Sequence, residues 1–554
     1  MPDTDARQRS LFHPYAHAST VTDLSRPLPP PTVTCQRALT SVDHSGEQRG
    51  NVVARTRSLL LAGLLATPLV FAGPAAAQAA ACGHVRSDFN GDGYADLAVG
   101  DPQRDQPIDP NQGGVVVLYG SASGMGGSRK TDFFTSYSAG MPTDGLIGGS
   151  DRLGEALASG YFDGDCYADL AVGAPGGGAL VILYGSESGL TTTRSADFDR
   201  RSIQPGGAPN TGFGLALAAG DFNGDGRDDV AVGAPETEEF IDEGAVGVLY
   251  GSAAGVTPAG AVWLDQDTPG VPGTGGQNDT FGWSLAAGDF DGDRRADLAV
   301  GIPDETLGSH DFAGGVVVLR GSAGGLTGAG AQWFDQDTAG VPGAPEARDW
   351  FGNALTAGDL TGDGRAELVV GAPGEGVGST FSAGLVTVLR GSAGGLTGTG
   401  AVSYDQNTEG VPGTAESQDT FGGAVAIGDF NSDGRPDLAV GAPDESVGTA
   451  LGTGSVTILY GVTGGLSATG ARYLDQNSPG VPGANEENDF FGGTLKALPD
   501  ALVIDALHES AGGVRDGAFT ILPSGKAAQS GTFFHGGQLP SGAQEDAELG
   551  YAFG

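Results

Sequence analysis

The sequence predicts an all-β fold: a seven-bladed β-propeller of four-stranded antiparallel blades, with the ring closed by the C-terminal strand completing the first blade. Three observations lead to this prediction. A unit of about 70 residues recurs along residues 82–554. Each full unit contains four short strand-like runs separated by Gly-rich turns. The first unit lacks its opening run, and "LGYAFG" at 549–554 supplies a match for it.

An acidic stretch followed by an apolar run marks six of the units. In the first unit it reads "DFNGDGYADLAVGDP", and successive copies are 60 to 73 residues apart. The copies begin at Asp88, Tyr161, Asp221, Asp289, Asp359 and Asp429. An F-G or L-G pair stands eight residues before five of them. A further pair, Phe491-Gly492, opens a seventh unit that keeps the strand-like runs and lacks the acidic loop.

The strand-like runs of the fourth unit are "FGWSLAAGDF", "DLAVGIP", "GGVVVLRGS" and "AQWFDQD". They are short and rich in Val, Leu and small residues, which is typical of strands. Four antiparallel strands repeated seven times favour a propeller, because its radial arrangement protects the sheet edges. The match of "LGYAFG" to "LGEALA" at 153–158 predicts that the last strand joins the first blade.

The N-terminal part of the chain differs from the repeats. Residues 1–51 match nothing downstream and are predicted to be a non-structural or mis-called extension. Residues 52–81 have two arginines, an apolar run and a small-residue end, which indicates a signal peptide cut near Ala79 or Ala81. The alternatives are an unusually long signal or an N-terminal membrane anchor. We therefore expect residues 82–554 to be a secreted, extracellular propeller with no membrane span in the mature chain.

The charge balance limits the kinds of partner. With 27 Lys and Arg against 68 Asp and Glu, the net charge is -41. Nucleic acid is excluded as a partner, because phosphate binding needs clustered basic residues. Cations are the natural partners of such a surface. A disordered acidic chain is excluded by recurrent apolar runs such as "GVVVLYGS".

The F-G start, the acidic loop and the following G-A-P resemble the FG-GAP repeat of integrin α-subunit propellers and of secreted bacterial relatives. The resemblance covers about residues 82–554. It implies a ligand-binding face where the loops between strands 2 and 3 meet the connections to the next blade. Four of those connections begin with an Asp that either belongs to a regular binding surface or caps a turn. These residues are Asp265, Asp335, Asp405 and Asp475.

The acidic loops follow the pattern D-x-(D/N)-x-D-G-x-x-D, which suits calcium. Calcium takes six to eight hard oxygens, whereas magnesium keeps much of its water. Side chains at positions 1, 3, 5 and 9 and the carbonyl at position 7 are the predicted ligands. The alternative is an Asp/Asn/Gly turn without metal. About five structural calcium sites are expected, with weaker binding where Thr361 and Glu367 replace better ligands. The predicted ligands are Asp88, Asn90, Asp92, Tyr94 and Asp96; Asp221, Asn223, Asp225, Arg227 and Asp229; Asp289, Asp291, Asp293, Arg295 and Asp297; Asp359, Thr361, Asp363, Arg365 and Glu367; and Asp429, Asn431, Asp433, Arg435 and Asp437.

The second acidic loop departs from the pattern. Tyr161 replaces the first ligand, and Cys166 replaces the glycine at position 6. The three remaining carboxylates are too few for a firm site. Two cysteines remain after signal cleavage, so we predict a Cys82–Cys166 disulfide in place of the metal. Lipidation of Cys82 is the alternative.

The sequence predicts a monomeric binding or adhesion module for an extracellular protein or glycan. It contains no G-x-S-x-G elbow and no recurring histidine, so we predict that it is not an enzyme and has no catalytic residues. Two alternatives stay open. One is a hydrolase built on the propeller, with His508 and Glu509 as its best candidates. The other is a structural envelope or matrix protein.

Overall fold

The computed structural model describes residues 85–554 except 106–110, 126–130, 143–149, 207–211, 236–242, 277, 512–513, 516, 526–529 and 541–547. It confirms the predicted seven-bladed propeller of antiparallel sheets. In every blade the strands are hydrogen-bonded in chain order, so each blade is a meander. The predicted extension, the signal peptide and Cys82 lie outside the described residues.

The strands of the first three blades are as follows. Blade 1 contains β1 (Leu97–Asp101), β2 (Gly114–Leu118) and β3 (Thr131–Phe134). Blade 2 contains β4 (Leu157–Gly160), β5 (Asp169–Ala174), β6 (Ala179–Tyr184) and β7 (Thr191–Asp199), and a short helix α1 (Arg200–Ile203) follows. Blade 3 contains β8 (Ala216–Gly220), β9 (Asp229–Ala234), β10 (Ala245–Tyr250) and β11 (Thr257–Leu264).

The strands of the other four blades follow the same order. Blade 4 contains β12 (Ser284–Gly288), β13 (Asp297–Ile302), β14 (Gly315–Arg320) and β15 (Thr327–Phe334). Blade 5 contains β16 (Ala354–Gly358), β17 (Glu367–Ala372), β18 (Leu385–Ser392) and β19 (Gly395–Tyr404). Blade 6 contains β20 (Ala424–Gly428), β21 (Asp437–Ala442), β22 (Ser455–Val462) and β23 (Gly465–Leu474). Blade 7 contains β24 (Leu495–Leu498), β25 (Ala501–Ala506), β28 (Ala518–Pro523) and β29 (Thr532–His535). A small hairpin of β26 (Ser510–Ala511) and β27 (Val514–Arg515) lies between β25 and β28, and a 3-10 turn (Gly536–Gln538) follows β29.

The second strand of each blade has a different hydrophobic pattern from the outer strand. Every residue of β13 is buried, because neighbouring blades cover both of its faces. The fourth strand, β15, is exposed or half-buried at six of its eight positions, because it lies at the rim. Continuous apolar runs are typical of strands that are buried on both faces. The repeated "DLAVG" run is therefore the core of each blade.

Glycines of neighbouring blades approach closely at six of the seven seams. A Cβ on Gly371 in blade 5 would lie 2.1 Å from the carbonyl oxygen of Gly422, the F-G glycine of blade 6. The corresponding distances at the other five seams are 2.0 to 2.2 Å. Gly422 also donates its N–H to the Gly441 carbonyl in its own blade, at 2.9 Å. The F-G and G-A-P glycines are thus the contact points between blades, which explains why both recur.

The C-terminal residues close the ring as the sequence predicts. Phe553 pairs antiparallel with Val99 of β1. Backbone bonds join Gly100 N to Ala552 O at 2.8 Å and Gly554 N to Ala98 O at 2.9 Å. The Phe553 ring packs edge-on against Phe519 of blade 7, with the ring centroids 5.7 Å apart. The last residues therefore complete blade 1 and contact the preceding blade.

Blade 7 lacks the acidic loop, as predicted. β24 and β25 are joined by a two-residue turn, with Leu498 opposite Ala501. The position of the G-A-P glycine is taken by Asp505, which is fully buried and accepts a hydrogen bond from the Thr494 N–H at 2.7 Å. Burial raises the pKa of Asp505 well above its usual range. Among the described residues, none of the helices has the length and apolar character required to cross a membrane.

Candidate metal-binding loops and the opposite face

The acidic loops of blades 2 to 6 connect the first and second strands, and that of blade 1 precedes β1; all six lie together on one face of the ring, here called the lower face. Backbone hydrogen bonds link the loops of blades 1 to 5, each to the next, whereas Pro436 in the blade 6 loop has no N–H at the equivalent position. The N–H of Ala296 in the blade 4 loop donates to the Asp221 carbonyl of blade 3 at 2.9 Å. The N–H of Ala366 in blade 5 donates to the Asp289 carbonyl of blade 4 at 2.8 Å. The loops are thus held in a chain along the lower face.

The first carboxylate of each complete loop organises the turn. In blade 3, Asp221 accepts hydrogen bonds from the N–H groups of Asp225 (3.0 Å) and Gly226 (2.9 Å). The amide oxygen of Asn223 accepts from Asp225 N at 2.8 Å. Side chains at positions 1 and 3 therefore fold over the loop, as the calcium pattern predicts. In blade 4, Asp289, Asp291 and Asp297 offer oxygens within 4.8 Å of one another.

Two loop positions require a left-handed backbone. Position 6 has φ of +87° at Gly226 and +73° at Arg294, so the non-glycine residue in blade 4 adopts a conformation that is unfavourable for it. Position 4 has the same requirement, with φ of +75° at Gly224 and +56° at Ser432. The need at position 4 was missed by the sequence analysis, although a glycine stands there in five of the six loops.

The position-9 carboxylate has a second role that the sequence analysis missed. Asp96 is fully buried and accepts hydrogen bonds from Phe89 N (2.9 Å) in its own loop and Gly120 N (2.7 Å) after the third strand. Burial raises its pKa to about 7. The same two-sided bonding recurs at Asp169, Asp229, Asp297 and Asp437. Glu367 accepts from two amides of its own loop, those of Leu360 and Thr361.

The blade 2 loop brings together its three carboxylates, which the sequence analysis considered too few for a firm metal site. Asp163, Asp165 and Asp169 offer oxygens within 4.8 Å of one another. Tyr161 donates its hydroxyl to the Val85 carbonyl at 2.7 Å, so it points back to the start of blade 1. Cys166 is exposed at the tip of this loop. Because Cys82 lies outside the described residues, the disulfide stays a prediction.

The opposite, upper face carries the long connections between blades. The carboxylate of Asp265 accepts from the Thr268 hydroxyl at 2.7 Å, and that hydroxyl accepts from Asp265 N at 3.1 Å. The same reciprocal pair forms at three further connections: Asp335 with Thr338, Asp405 with Thr408, and Asp475 with Ser478. The geometry supports the turn-capping interpretation of these four aspartates.

Buried glutamine–glutamate pairs fasten the connections to the blades, and the sequence analysis missed them. The Gln336 amide donates to the Glu375 carboxylate at 2.6 Å. Equivalent bonds of 2.5 to 2.8 Å join Gln266 to Glu305, Gln406 to Glu445 and Gln476 to Glu509. Burial raises the pKa values of Glu305, Glu375 and Glu445 to about 7 each. The sequence signal for these pairs was the recurrence of "DQ" in the connections and of a Glu shortly after "GAP".

We expect these glutamates to make stability fall as pH rises. The folded state holds the Glu375 proton more tightly than the unfolded state, so its contribution is complete below about pH 4.5 and is lost as pH approaches 7. Each unit of pKa difference is about 1.4 kcal/mol. Glu375→Gln should therefore match the wild type near pH 4.5 and exceed its free energy of unfolding above pH 7. Denaturant melts across this range test it, with Glu409→Gln as the control at an exposed glutamate. A pH-independent difference for Glu375→Gln would contradict the expectation.

The two residues proposed for the hydrolase alternative have structural contacts. The His508 ring lies edge-on to Phe490, with centroids 5.1 Å apart. The Glu509 carboxylate is buried and accepts the bond from Gln476. Glu509 therefore has a structural role: it joins blade 7 to the connection that comes from blade 6.

The comparisons with known proteins agree with the repeat. The FG-GAP repeat family matches residues 85–119, 213–265, 281–319, 351–389 and 421–459, and an FG-GAP-like repeat matches 161–232. The chain is 32% identical to integrin alpha-PS2 of Drosophila melanogaster over a segment that is 42% of this chain. It is also 32% identical to integrin alpha-5 of Xenopus laevis, over 40% of this chain. It covers 15% and 20% of those two proteins.

An enzyme is also among the relatives. The chain is 34% identical to human phosphatidylinositol-glycan-specific phospholipase D over 243 residues, which are 40% of this chain and 26% of the enzyme. The prediction that the chain is not an enzyme is therefore wrong, because an enzyme is among its relatives. The prediction rested on the lack of a G-x-S-x-G elbow and of a recurring histidine, and the absence of such motifs does not separate this chain from a relative that is an enzyme.

Motif, strand order and relatives point to one family. The glycines that define the repeat are the contacts between blades, and the acidic loops recur at one position in six blades. The matched segments fall on these same blades. The chain is an FG-GAP-repeat β-propeller similar to that of integrin α subunits.

Proposed function

We propose that this chain is an extracellular, calcium-stabilised binding module whose upper face contacts a protein or glycan ligand. The similarity to two integrin α subunits carries this proposal, because it covers FG-GAP repeats that the two kinds of protein share. Secretion follows from the signal-like segment before the propeller. Long connections on a rigid scaffold are where binding residues concentrate.

The chemistry of the lower-face loops fits calcium. Their donors are carboxylates, amide oxygens and backbone carbonyls, which are the hard ligands that calcium prefers. The Oδ1 atom of Asn431, at position 3 of the blade 6 loop, is buried and has no hydrogen-bond partner among the described residues. A bound cation would satisfy this oxygen. Calcium would supply charge neutralisation and order to the loops, and we assign it no part in a reaction.

Apolar side chains on the upper face support a binding role. Phe381 in blade 5 and Leu451 in blade 6 occupy equivalent positions in the loops between strands 2 and 3, and they are 57% and 60% exposed. Large apolar side chains in adjacent loops are typical of contact surfaces. A ligand-binding surface on these two blades would use both residues.

Calcium should raise the melting temperature of the full chain. Extracellular sites with dissociation constants of roughly 10⁻⁴–10⁻³ M would each contribute about 0.4–1.4 kcal/mol at about 1 mM calcium. Asp225→Asn keeps the Oδ1 atom that accepts from the Arg227 N–H at 3.0 Å and weakens one site, so it should reduce the calcium-dependent gain and leave the melt in chelator almost unchanged. Asp267→Asn, an exposed change on the upper face, is the control. A melting temperature unmoved by chelator would refute calcium stabilisation.

The binding role is tested separately. Arrayed matrix proteins and glycans are screened with the full chain in calcium, and each hit is repeated with Phe381→Ser and Leu451→Ser. Hits that weaken with these changes and not with Asp267→Asn support binding on the upper face. Hits that are insensitive to both apolar changes would place the binding surface elsewhere.

A hydrolase is the second candidate, favoured by the similarity to a phosphatidylinositol-glycan-specific phospholipase D. The test is release of a phosphatidylinositol-glycan-anchored protein from vesicles by the full chain, alongside simple ester and glycoside substrates. Turnover that disappears with His508→Ala would support this candidate. Turnover unaffected by that change would require a different catalytic residue.

A further inference from the structure

Two backbone hydrogen bonds join neighbouring blades on the lower face. Between blades 4 and 5, the Ala366 N–H donates to the Asp289 carbonyl at 2.8 Å, and the Ser392 N–H donates to the Phe290 carbonyl at 3.1 Å. The acceptors are positions 1 and 2 of one acidic loop. The donors are position 8 of the next loop and a serine in the turn between the third and fourth strands of the next blade. The same pair of bonds recurs at the first three seams, where the donors are Ala168 and Ser186, Asp228 and Ser252, and Ala296 and Ser322.

The seam between blades 5 and 6 differs from these four. The equivalent acceptors are the carbonyls of Asp359 and Leu360, and among the described residues no backbone hydrogen bond reaches either of them. Position 8 of the blade 6 loop is Pro436, which has no N–H to donate. Val462 takes the place of the serine, so this turn lacks the hydroxyl that donates to the Gly395 carbonyl at 2.6 Å in blade 5. Two substitutions in blade 6 thus fall on the two donors of one seam.

The side chains leave the same seam uncovered. In blade 5, the Arg365 side chain lies on the preceding loop, so that a Cβ on Gly292 would be 3.2 Å from its Cγ. The position-7 residue covers the position-4 glycine in the same way at three other seams, where the pairs are Tyr167 with Gly91, Arg227 with Gly164, and Arg295 with Gly224. A Cβ on Gly362 would have no heavy atom within 4 Å among the described residues. Its expected partner, Arg435, has a side chain that is 50% exposed, compared with 33% for Arg365.

The opening is confined to the lower face. Deeper in the same seam, the glycines of blades 5 and 6 approach as closely as elsewhere, and the Leu360 side chain packs in one apolar cluster with Leu438 and Val440 of blade 6. At the outer strands the Tyr404 hydroxyl donates to the Leu466 carbonyl at 3.1 Å. The result is a shallow groove, here called the 5–6 cleft. It is bounded by Asp359, Leu360 and Gly362 on one side and by Arg435, Pro436 and Val462 on the other.

The chemistry of the 5–6 cleft suits a polypeptide backbone. It presents two main-chain carbonyls whose counterparts at four other seams accept main-chain N–H groups. Beside them stands an apolar side chain, Val462, which is 43% exposed. An extended peptide supplies both kinds of group, because its N–H groups bind backbone acceptors while its side chains contact the adjoining surface. An anionic ligand is disfavoured here, since the acceptors are carbonyl oxygens next to the Asp359 carboxylate.

We propose that the 5–6 cleft is a second binding site of this chain and that it takes an extended peptide segment of a partner protein. The segment donates main-chain N–H groups to the carbonyls of Asp359 and Leu360 and packs an apolar side chain against Val462. Pro436 keeps the site available, because the blade 6 loop has no N–H with which to occupy the Asp359 carbonyl. This inference goes beyond the proposed upper-face binding and does not depend on it.

The experiment uses short random peptides displayed on phage, selected on the full chain in calcium. Each selected peptide is synthesised, and its affinity is measured for the wild type and for the double variant Pro436→Ala/Val462→Ser. That variant regains the N–H and the serine of the other seams, so its own backbone can occupy both acceptors. We expect the peptide affinity to fall at least about tenfold, because two hydrogen bonds are lost. Asp267→Asn, on the upper face, is the control and should bind as the wild type does.

Two further measurements keep the test independent of how well the double variant folds. Val462→Asp leaves the cleft open and places a charge where the apolar contact is expected, so it should also weaken binding. N-methylation of the peptide, one N–H at a time, should abolish binding to the wild type at the donating positions and be tolerated elsewhere. Circular dichroism establishes that each variant is folded.

The outcomes separate this site from the proposed upper face. Peptides that weaken with the double variant, with Val462→Asp and with N-methylation would support the 5–6 cleft. A selection that yields no peptide sensitive to these changes would overturn it. Peptides that weaken only with Phe381→Ser would also overturn it, because they bind on the upper face, and they would leave the proposed function intact.

Discussion

Deleting residues 549–554 is expected to destabilise the propeller by several kcal/mol and to expose the inner edge of blade 1. The deletion removes the backbone bonds that Ala98 and Gly100 make with the C-terminal residues. Each such bond contributes about 0.5–1.5 kcal/mol. It also removes the Phe553 ring, which is 6% exposed. Loss of a buried Phe side chain costs about 3–5 kcal/mol. The sum is a large part of a typical stability of about 5–15 kcal/mol.

The measurement combines a denaturant melt with amide hydrogen exchange. The amides of β1 should lose protection first, because their partner strand is gone while the other six inner strands stay paired. Tyr551→Phe is the matched control, since it keeps the strand and removes the 3.0 Å bond from the Tyr551 hydroxyl to Glu155, which should cost about 1 kcal/mol. An unchanged melt after the deletion would show that ring closure does not depend on this strand.

Gly371→Ala is expected to be more damaging than any ordinary surface change. The new Cβ would lie 2.1 Å from the backbone carbonyl oxygen of Gly422, and a backbone atom cannot rotate away as a side chain does. Blades 5 and 6 would have to move apart and lose buried contacts on both sides of the seam. We expect a loss of at least about 3 kcal/mol, since overpacking of a tight core already costs about 1–3 kcal/mol.

Gly324→Ala provides the comparison. Among the described residues, the one atom within 4 Å of a Cβ at Gly324 is the Ser322 hydroxyl oxygen at 3.7 Å, an ordinary contact distance. Its effect should stay within about 0.5 kcal/mol. Thermal melts of both variants in the same buffer decide the matter. Equal melting temperatures would mean that the seam can relax, and the explanation of the G-A-P glycine would then be wrong.

The fold was predictable because each blade repeats the same local signals. The "DLAVG" run, the F-G pair and the spacing of the acidic loops give strand number and order, and "LGYAFG" gives the closure. The absence of the acidic loop from blade 7 was also predictable, because the missing residues lie between two recognisable strand sequences. These features depend on residues close together in the chain.

The contacts that distinguish one loop from another were not predictable in this way. Arg194 lies 31 positions after Asp163 and forms an ion pair with it at 3.1 Å, and Arg320 lies 29 positions after Asp291 and forms one with it at 3.2 Å. These pairs form only because strand 4 or the end of strand 3 returns to the lower face in a specific register, with a β-bulge in each of blades 2 to 6. The pairing of Gln336 with Glu375 likewise spans two blades. Local patterns do not fix such registers.

The position-9 carboxylate has a consequence for how such repeats diverge. Asp169 ties its loop to the turn after the third strand by two backbone bonds that need no ion. A duplicated unit can therefore accumulate substitutions at its other loop positions without losing the blade. Blade 2, with Tyr161 and Cys166 beside an intact Asp169, is such a case. The blades of one chain can therefore differ in their loop residues while the β-sheets that carry the loops stay alike.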